Sequence, residues 1–151
     1  MPDPAQFFDL LPGAWRFDRQ IPGQASMQGT ARFMPRDDGA LHYHEQGELV
    51  LPDGQRLQAH RAYRYTRQPD GFCVWFDEMP PRLFHRIVLS RTAAGQTVGI
   101  EAVAGGSAMH LCGADRYDTV YGIHADGSWS IRHEVSGPRK RYVSLTRFCR
   151  A

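Results

Sequence analysis

The chain has 151 residues, of which 42% are hydrophobic and 23% charged, and its net charge is +2. This length fits one domain, residues 1–151, with a core large enough to fold without disulfide support. The weak charge bias argues against nucleic acid or an anionic membrane surface as a partner. No apolar run reaches the roughly 18 residues that a membrane-spanning helix needs.

A short helix and a series of strands are predicted along the chain. Residues 6–11 (QFFDLL) form the one helical segment, which ends at Pro12 and Gly13. After it, apolar and polar residues alternate with the period of two that is typical of strands. The alternating segments cover residues 15–19, 27–33, 41–49, 57–65, 72–76, 83–89, 98–103, 109–112, 116–123, 129–135 and 142–148.

Turn signals containing glycine or proline separate these segments, and no helix long enough for a crossover connection lies between them. Parallel pairing would need such crossovers, so the strands should pair antiparallel with their neighbours in the chain. Closing the sheet on itself would remove its exposed edges. The sequence therefore predicts an all-β fold, an antiparallel up-and-down β-barrel of about eight to ten strands with a short N-terminal helix near one end.

Several motifs carry a resemblance to a known kind of barrel. They are Gly13-x-Trp15, Tyr43-x-Glu45-x-Gly47, Phe84-His85, His110-x-Cys112-x-x-Asp115-x-Tyr117 and Gly137-Pro138-Arg139-Lys140-x-Tyr142. With them, nearly the whole chain resembles a family of small bacterial lipocalin-like, calycin-type domains of unknown function. The resemblance implies that Trp15 closes one end of the barrel under Arg147 or Arg150, through a cation–π contact. It implies no activity.

The inward face of each strand is predicted from its apolar members. This rule places one set of polar side chains inside the barrel: Tyr43, Glu45, Arg61, Tyr63, Tyr65 and His85. Burying unpaired charge is costly, so a polar set of this kind indicates a ligand pocket. Two alternatives stay open: Glu45 and Arg61 form a satisfied internal ion pair, or the inward and outward faces are reversed.

A second group of polar residues, His110, Asp115 and Tyr117, suggests acid–base chemistry. A carboxylate beside an imidazole fixes its tautomer, and a tyrosine can donate to an oxyanion. Such a group could act on a bound carbonyl compound, with His110 or His85 as the general base. A purely structural hydrogen-bond network is the alternative.

Cofactors are not expected. His85 and His110 with Glu45 or Asp115 could bind a metal, but the sequence has no HExxH or CxxC spacing. Haem held by one histidine is a further alternative. The pair His42 and His44 should point to solvent, and the basic run at residues 139–141 either attracts an anionic ligand or is a solvated hairpin end.

These observations predict a cytoplasmic protein that binds a small, partly apolar, anionic molecule. The cytoplasm is expected because Cys73, Cys112 and Cys149 are widely spaced and no export signal is recognised at the N-terminus. The expected ligand contacts are Tyr43, Glu45, Arg61, Tyr63, Tyr65, His85, His110 and Tyr117. The alternatives are an enzyme acting on a carbonyl-containing metabolite and a filled barrel with a structural or interaction role; a homodimer is left open.

Overall fold

The computed structural model describes residues 3–91, 96–97 and 100–151. A 3-10 turn, Pro4–Gln6, leads into the one-turn helix α1, Phe7–Leu10. The strands of the described ranges are β1 Gly13–Ile21, β2 Ala25–Pro35, β3 Leu41–Val50, β4 Arg56–Gln68, β5 Gly71–Phe76, β6 Arg82–Val88, β7 Gln96–Thr97, β8 Ile100–Glu101, β9 Ala104–Cys112, β10 Asp115–Ile123, β11 Trp129–Ser136 and β12 Arg141–Arg150. The strand predicted over residues 98–103 lies partly outside the described residues.

Ten of these strands form one antiparallel sheet in the order β6-β5-β4-β3-β2-β1-β12-β11-β10-β9, and β7 and β8 form a separate pair. Strands that follow each other in the chain are therefore neighbours in the sheet, and β1 pairs with β12. The predicted antiparallel up-and-down barrel with a short N-terminal helix is confirmed. Within the described ranges, no helix is long and apolar enough to cross a membrane.

The two ends of the sheet, β6 and β9, meet at one point and nearly close the barrel. The backbones of Ser90 and Gly105 exchange hydrogen bonds of 2.9 and 3.0 Å. At Gly106, a Cβ atom would lie 2.3 Å from the carbonyl oxygen of Val88. Only glycine permits this close approach of the two chains, so Gly106 is required for closure.

The end of the barrel next to α1 is closed by aromatic side chains. Phe7 packs edge-on against Trp129, with ring centroids 5.6 Å apart, and contacts Phe72 at 6.0 Å. Trp15 is 2% exposed and donates a hydrogen bond of 2.9 Å from Nε1 to the carbonyl oxygen of Leu11. The helix is therefore tied to the barrel both by packing and by a buried hydrogen bond.

Arg150 covers Trp15 from outside. Its guanidinium carbon lies 3.8 Å from the centroid of the Trp15 ring, and its Nη atoms donate to the carbonyl oxygens of Leu10 and Pro12. Arg147, the other residue considered from the sequence, binds Asp126 instead. The cation–π contact implied by the resemblance is thus confirmed, with Arg150 as its cation.

The opposite end of the barrel is open. β1 runs from the helix towards Ile21, and β4 begins there at Arg56, on the far side from α1. Residues late in β1 and early in β4 therefore lie near the mouth, and this is where the charged interior residues are found.

Candidate functional site

The open end of the barrel holds a cavity of about 240 Å³. Three charged side chains, Arg19, Glu45 and Arg61, face into it. Its remaining wall is mostly aromatic or apolar and includes Met27, Leu49, Tyr63, Phe84, Tyr117, His133, Val135 and Tyr142. A cavity with apolar walls and a few convergent polar groups is the usual form of a small-molecule site.

Arg19 and Glu45 form a bidentate ion pair at the floor of this cavity. The distances are 2.6 Å from Nη1 to Oε2 and 2.9 Å from Nη2 to Oε1. Arg19 Nε also donates to Thr146 Oγ1 at 2.8 Å, and Tyr43 donates to Glu45 Oε1 at 2.5 Å. The pair is therefore satisfied by hydrogen bonds from several strands, which a buried pair needs in order to be stable.

Glu45 stays ionised despite its burial. Burial alone would raise the pKa of this carboxyl, but hydrogen bonds from Arg19 and the charge of Arg61 outweigh that effect and lower the pKa to about 2. Glu45 is thus an anion throughout the physiological range. It contributes one negative charge to the cavity.

Arg61 is the second cation of the cavity. Its Nε lies 3.2 Å from Glu45 Oε1, and 39% of its side chain is exposed. Its guanidinium carbon lies 5.4 Å from the Tyr63 ring centroid. Burial opposes its charge, but Tyr63 and Glu45 nevertheless raise the pKa of Arg61 above its ordinary value. Arg61 therefore shares with Arg19 a carboxylate that Arg19 already holds with two hydrogen bonds.

A second, much smaller chamber of about 10 Å³ lies deeper in the barrel. It shares Arg61, Tyr63, Phe84 and His133 with the larger cavity. Its other walls include Tyr43, Tyr65, Val74, His85, Tyr121 and Ile131. Such a volume accommodates about one water molecule.

Two of the tyrosines that line this inner chamber, Tyr65 and Tyr121, are hydrogen-bonded to each other. The hydroxyl oxygens of Tyr65 and Tyr121 lie 2.8 Å apart. Burial raises the pKa of both phenols, so both are neutral hydroxyls. His85, by contrast, has no hydrogen-bond partner at either ring nitrogen among the described residues. Burial, and then the charge of His110, lowers the pKa of His85 to about 3, so its imidazole is neutral.

His133 lies between the two chambers. Its Nδ1 is 2.8 Å from Thr119 Oγ1. Burial, followed by the charge of Arg61, lowers the pKa of His133 well below its ordinary value. A neutral His133 adds no charge to the cavity. Its hydrogen bond with Thr119 fixes the orientation of its ring.

The structure does not assemble the predicted acid–base group. His110 is half-buried with its ring 5.4 Å from that of Phe84, and it lines neither chamber. Asp115 lies at the end of its strand and pairs with Lys140 at 3.4 Å. No hydrogen bond or ion pair joins His110 to Asp115 among the described side chains. Tyr117 lines the larger cavity, 6.4 Å from the His110 ring.

Metal ligation finds little support in the geometry. Across the described residues, no group of three or more histidine, cysteine, aspartate or glutamate side chains could hold a metal ion. His42 and His44 point out of the barrel, as expected; His42 lies 3.7 Å from Asp77. The described cysteines are unpaired, with Cys73 buried and Cys112 exposed.

Sequence reasoning placed most of the inward-facing residues. The structure brings Tyr43, Glu45, Arg61, Tyr63, Tyr65 and His85 into the interior, as predicted. Their part in binding stays a prediction. Leu57, predicted to lie inside with them, is 41% exposed at the mouth.

Two functional candidates were missed, Arg19 and His133. A usable signal was present for both. Arg19 continues the inward alternation of Trp15 and Phe17, and His133 continues that of Trp129 and Ile131.

Comparison with known proteins gives the fold and a family. No match was found among curated proteins. The structure of EF1p2_mFAP2b bound to DFHBI is similar with a TM-score of 0.53 and 12% identity, covering 99% of this chain and 100% of that one. A de novo designed fluorescence-activating β-barrel gives a TM-score of 0.48 and 16% identity, with 100% of both chains covered.

The redesigned barrel mFAP1 bound to DFHBI is also similar, with a TM-score of 0.44, 14% identity and coverage of 99% of this chain and 100% of that one. The family DUF6314, described as a family of unknown function, matches residues 11–150. The match spans nearly the whole chain, so this protein belongs to the DUF6314 family.

Proposed function

We propose that this barrel binds a small, partly apolar anion in its open-end cavity. The observation that carries the proposal is the charge of the cavity wall. Two arginines, Arg19 and Arg61, face one carboxylate, Glu45, which leaves one positive charge in excess among the described lining residues. His133 also lines the cavity, but burial lowers its pKa well below the ordinary value, so its ring is neutral and does not change this balance.

Arg61 is the group that receives the anion in this proposal. Glu45 is already engaged by two hydrogen bonds from Arg19 and one from Tyr43. The buried Nε of Arg61 makes no hydrogen bond to a described residue, and its guanidinium reaches the open part of the cavity. A guanidinium in this position can hold a carboxylate through two parallel hydrogen bonds.

The size and the walls of the cavity restrict the rest of the ligand. A volume of about 240 Å³ lies just below the usual range of ligand sites, about 300–1,000 Å³, so the ligand is small. Rings of Tyr63, Phe84 and Tyr142 form much of its surface. These features favour a carboxylate carried on one ring or a short apolar chain.

The likeness to a solved structure, the type of barrel and the state of the cysteines complete the proposal. A barrel of similar shape has been solved with a small molecule, DFHBI, bound, which supports a binding role for this architecture. We infer a calycin-type barrel from Gly13-x-Trp15 and the Arg150 stack on Trp15.

The proposed binding site uses no cofactor. The three cysteines are unpaired, which supports a cytoplasmic setting.

The test is a titration of ¹⁵N-labelled protein with small carboxylates and with the matched neutral amides, for example benzoate against benzamide. We expect the carboxylate to shift the Arg61 Nε–H signal and the amide to have little effect. Arg61→Met lacks this signal, so its response is read from the backbone amides of the cavity-lining residues, whose shifts on addition of the carboxylate should disappear. Arg64→Met is the matched control, because Arg64 lies on the same strand but faces outward to Asp38. Equal responses to carboxylate and amide, or none to any carboxylate, would refute the proposal.

A further inference from the structure

Two histidines of the described residues are almost completely buried, His85 and His124, and they differ in their hydrogen bonds. The Nδ1 of His124 contacts the carbonyl oxygen of Glu101 at 2.9 Å, and its Nε2 contacts Ser130 Oγ at 2.8 Å. His85 is as deeply buried, at 3% exposure, yet neither of its ring nitrogens has a hydrogen-bond partner within residues 3–91, 96–97 and 100–151. Buried polar groups are nearly always paired, so two open positions on one ring require an explanation.

Among the residues that the structure describes, the surroundings of His85 offer no hydrogen-bond partner for its ring. Its ring packs on Phe84 at a centroid distance of 4.2 Å and lies 6.0 Å from the ring of Tyr121. Its neutral imidazole has one N–H donor and one acceptor nitrogen. A group that satisfies this ring, a water molecule or part of a ligand, therefore has to come from outside the described part of the chain.

The position of the inner chamber allows a bound ligand to supply such a group in place of a water molecule. The chamber that His85 lines shares the walls Arg61, Tyr63, Phe84 and His133 with the larger cavity. It has room for about one oxygen atom and its hydrogen. A molecule held at Arg61 in the larger cavity can thus extend one small polar substituent into it.

We propose that the ligand is a hydroxy- or oxo-acid, whose carboxylate binds Arg61 and whose second oxygen hydrogen-bonds to His85. This inference rests on the proposed function and adds a ligand class to it. A hydroxyl group fits best, because it can donate to the acceptor nitrogen of a neutral imidazole or accept from its N–H, whichever of the two faces the chamber. The adjacent Tyr65 and Tyr121 hydroxyls, themselves 2.8 Å apart, make the same end of the site polar.

The experiment compares matched pairs of acids that differ by one hydroxyl: benzoate with its 3- and 4-hydroxy forms, and phenylacetate with 4-hydroxyphenylacetate. Affinities are measured by calorimetry for the wild type, His85→Phe and Arg61→Met. We expect one hydroxylated acid to bind at least tenfold more tightly than its parent. That preference should vanish in His85→Phe, which keeps a ring of similar size, whereas Arg61→Met should weaken both members of the pair.

A second readout avoids dependence on the variant. The ring ¹⁵N signals of His85 in the wild type should move when the hydroxylated acid binds and stay in place when its parent binds. Equal affinities within every pair, or an unmoved His85 signal, would overturn this inference and leave the binding of carboxylates at Arg61 intact. If no acid binds at all, the proposed function fails as well.

Discussion

Arg19 on β1 and Glu45 on β3 meet inside the barrel across the intervening strand β2, with Nη1 and Oε2 2.6 Å apart. The inward residues of β2 between them are small: Gly29 pairs with Gly47, and Ala31 pairs with Glu45. A Cβ atom on Gly29 would lie 2.1 Å from the Gln46 carbonyl oxygen. The small side chains let β2 and β3 approach closely, and they leave room for the ion pair above them.

Replacement of Arg19 should be the most damaging change in the cavity. Arg19→Met removes both hydrogen bonds from the buried carboxylate of Glu45, and the expected loss in the free energy of unfolding is about 3–5 kcal/mol. Adding Glu45→Gln to this variant should recover part of the loss, because it removes the stranded charge. Urea denaturation measures both. The control is Arg16→Met, an exposed position on the same strand; equal losses in the single and double variants would contradict the argument.

Arg61 should matter for binding more than for folding. Arg61→Lys keeps the charge but loses the planar fork, so carboxylate affinity should fall about tenfold while the melting temperature barely changes. Glu45 remains held by Arg19 and Tyr43 in this variant, which is why little stability is lost. A drop in melting temperature as large as that of Arg19→Met would show that Arg61 is mainly structural.

The sequence pattern predicts which side chains of each strand point inward, but it does not predict which of these side chains contact each other across the barrel. Period-two alternation placed Glu45 and Arg61 inside, and they are indeed directly opposite on β3 and β4. The main partner of Glu45, however, is Arg19, two strands away. That contact depends on the register of β2 against both neighbours and on the small Gly29, which no single-strand pattern reveals.

The contacts within the group His110, Asp115 and Tyr117 could not be predicted from the sequence either. Its motif lies on one hairpin, β9–β10, where Tyr117 pairs with His110, a contact that the spacing across Gly113 did not predict. Asp115 stands at the end of that hairpin, next to the turn that carries Lys140. The nearer opposite charge, supplied by a distant part of the chain, decides which partner the carboxylate takes.

The closed end of the barrel should depend on Trp15. Trp15→Ala removes a large buried ring together with its hydrogen bond to Leu11, and should lower the free energy of unfolding by roughly 3–5 kcal/mol. Arg150→Ala should cost less, since it removes only the cation–π contact and two hydrogen bonds at a partly exposed site. Thermal unfolding followed by circular dichroism gives the order. Arg147→Ala, which removes the half-exposed ion pair with Asp126 away from Trp15, is the control and should change little.

Stability should fall as the solution becomes acidic, and His85 should account for a measurable part of that fall. Its native pKa of about 3 lies below the value near 6.5 of the unfolded chain, so between these values only the unfolded state binds the proton. The free energy of unfolding therefore decreases as pH falls below about 6.5, by about 2 kcal/mol at pH 5 from this group. His133 acts in the same direction, whereas Glu45, with a pKa of about 2, contributes only below about pH 4.5.

Urea unfolding at pH 7 and pH 5 measures this fall in stability. The difference between the two pH values should be smaller for His85→Phe than for the wild type. For His44→Gln, on the outer face, it should equal that of the wild type. A His85→Phe variant as acid-sensitive as the wild type would show that the His85 ring takes up its proton in the folded state.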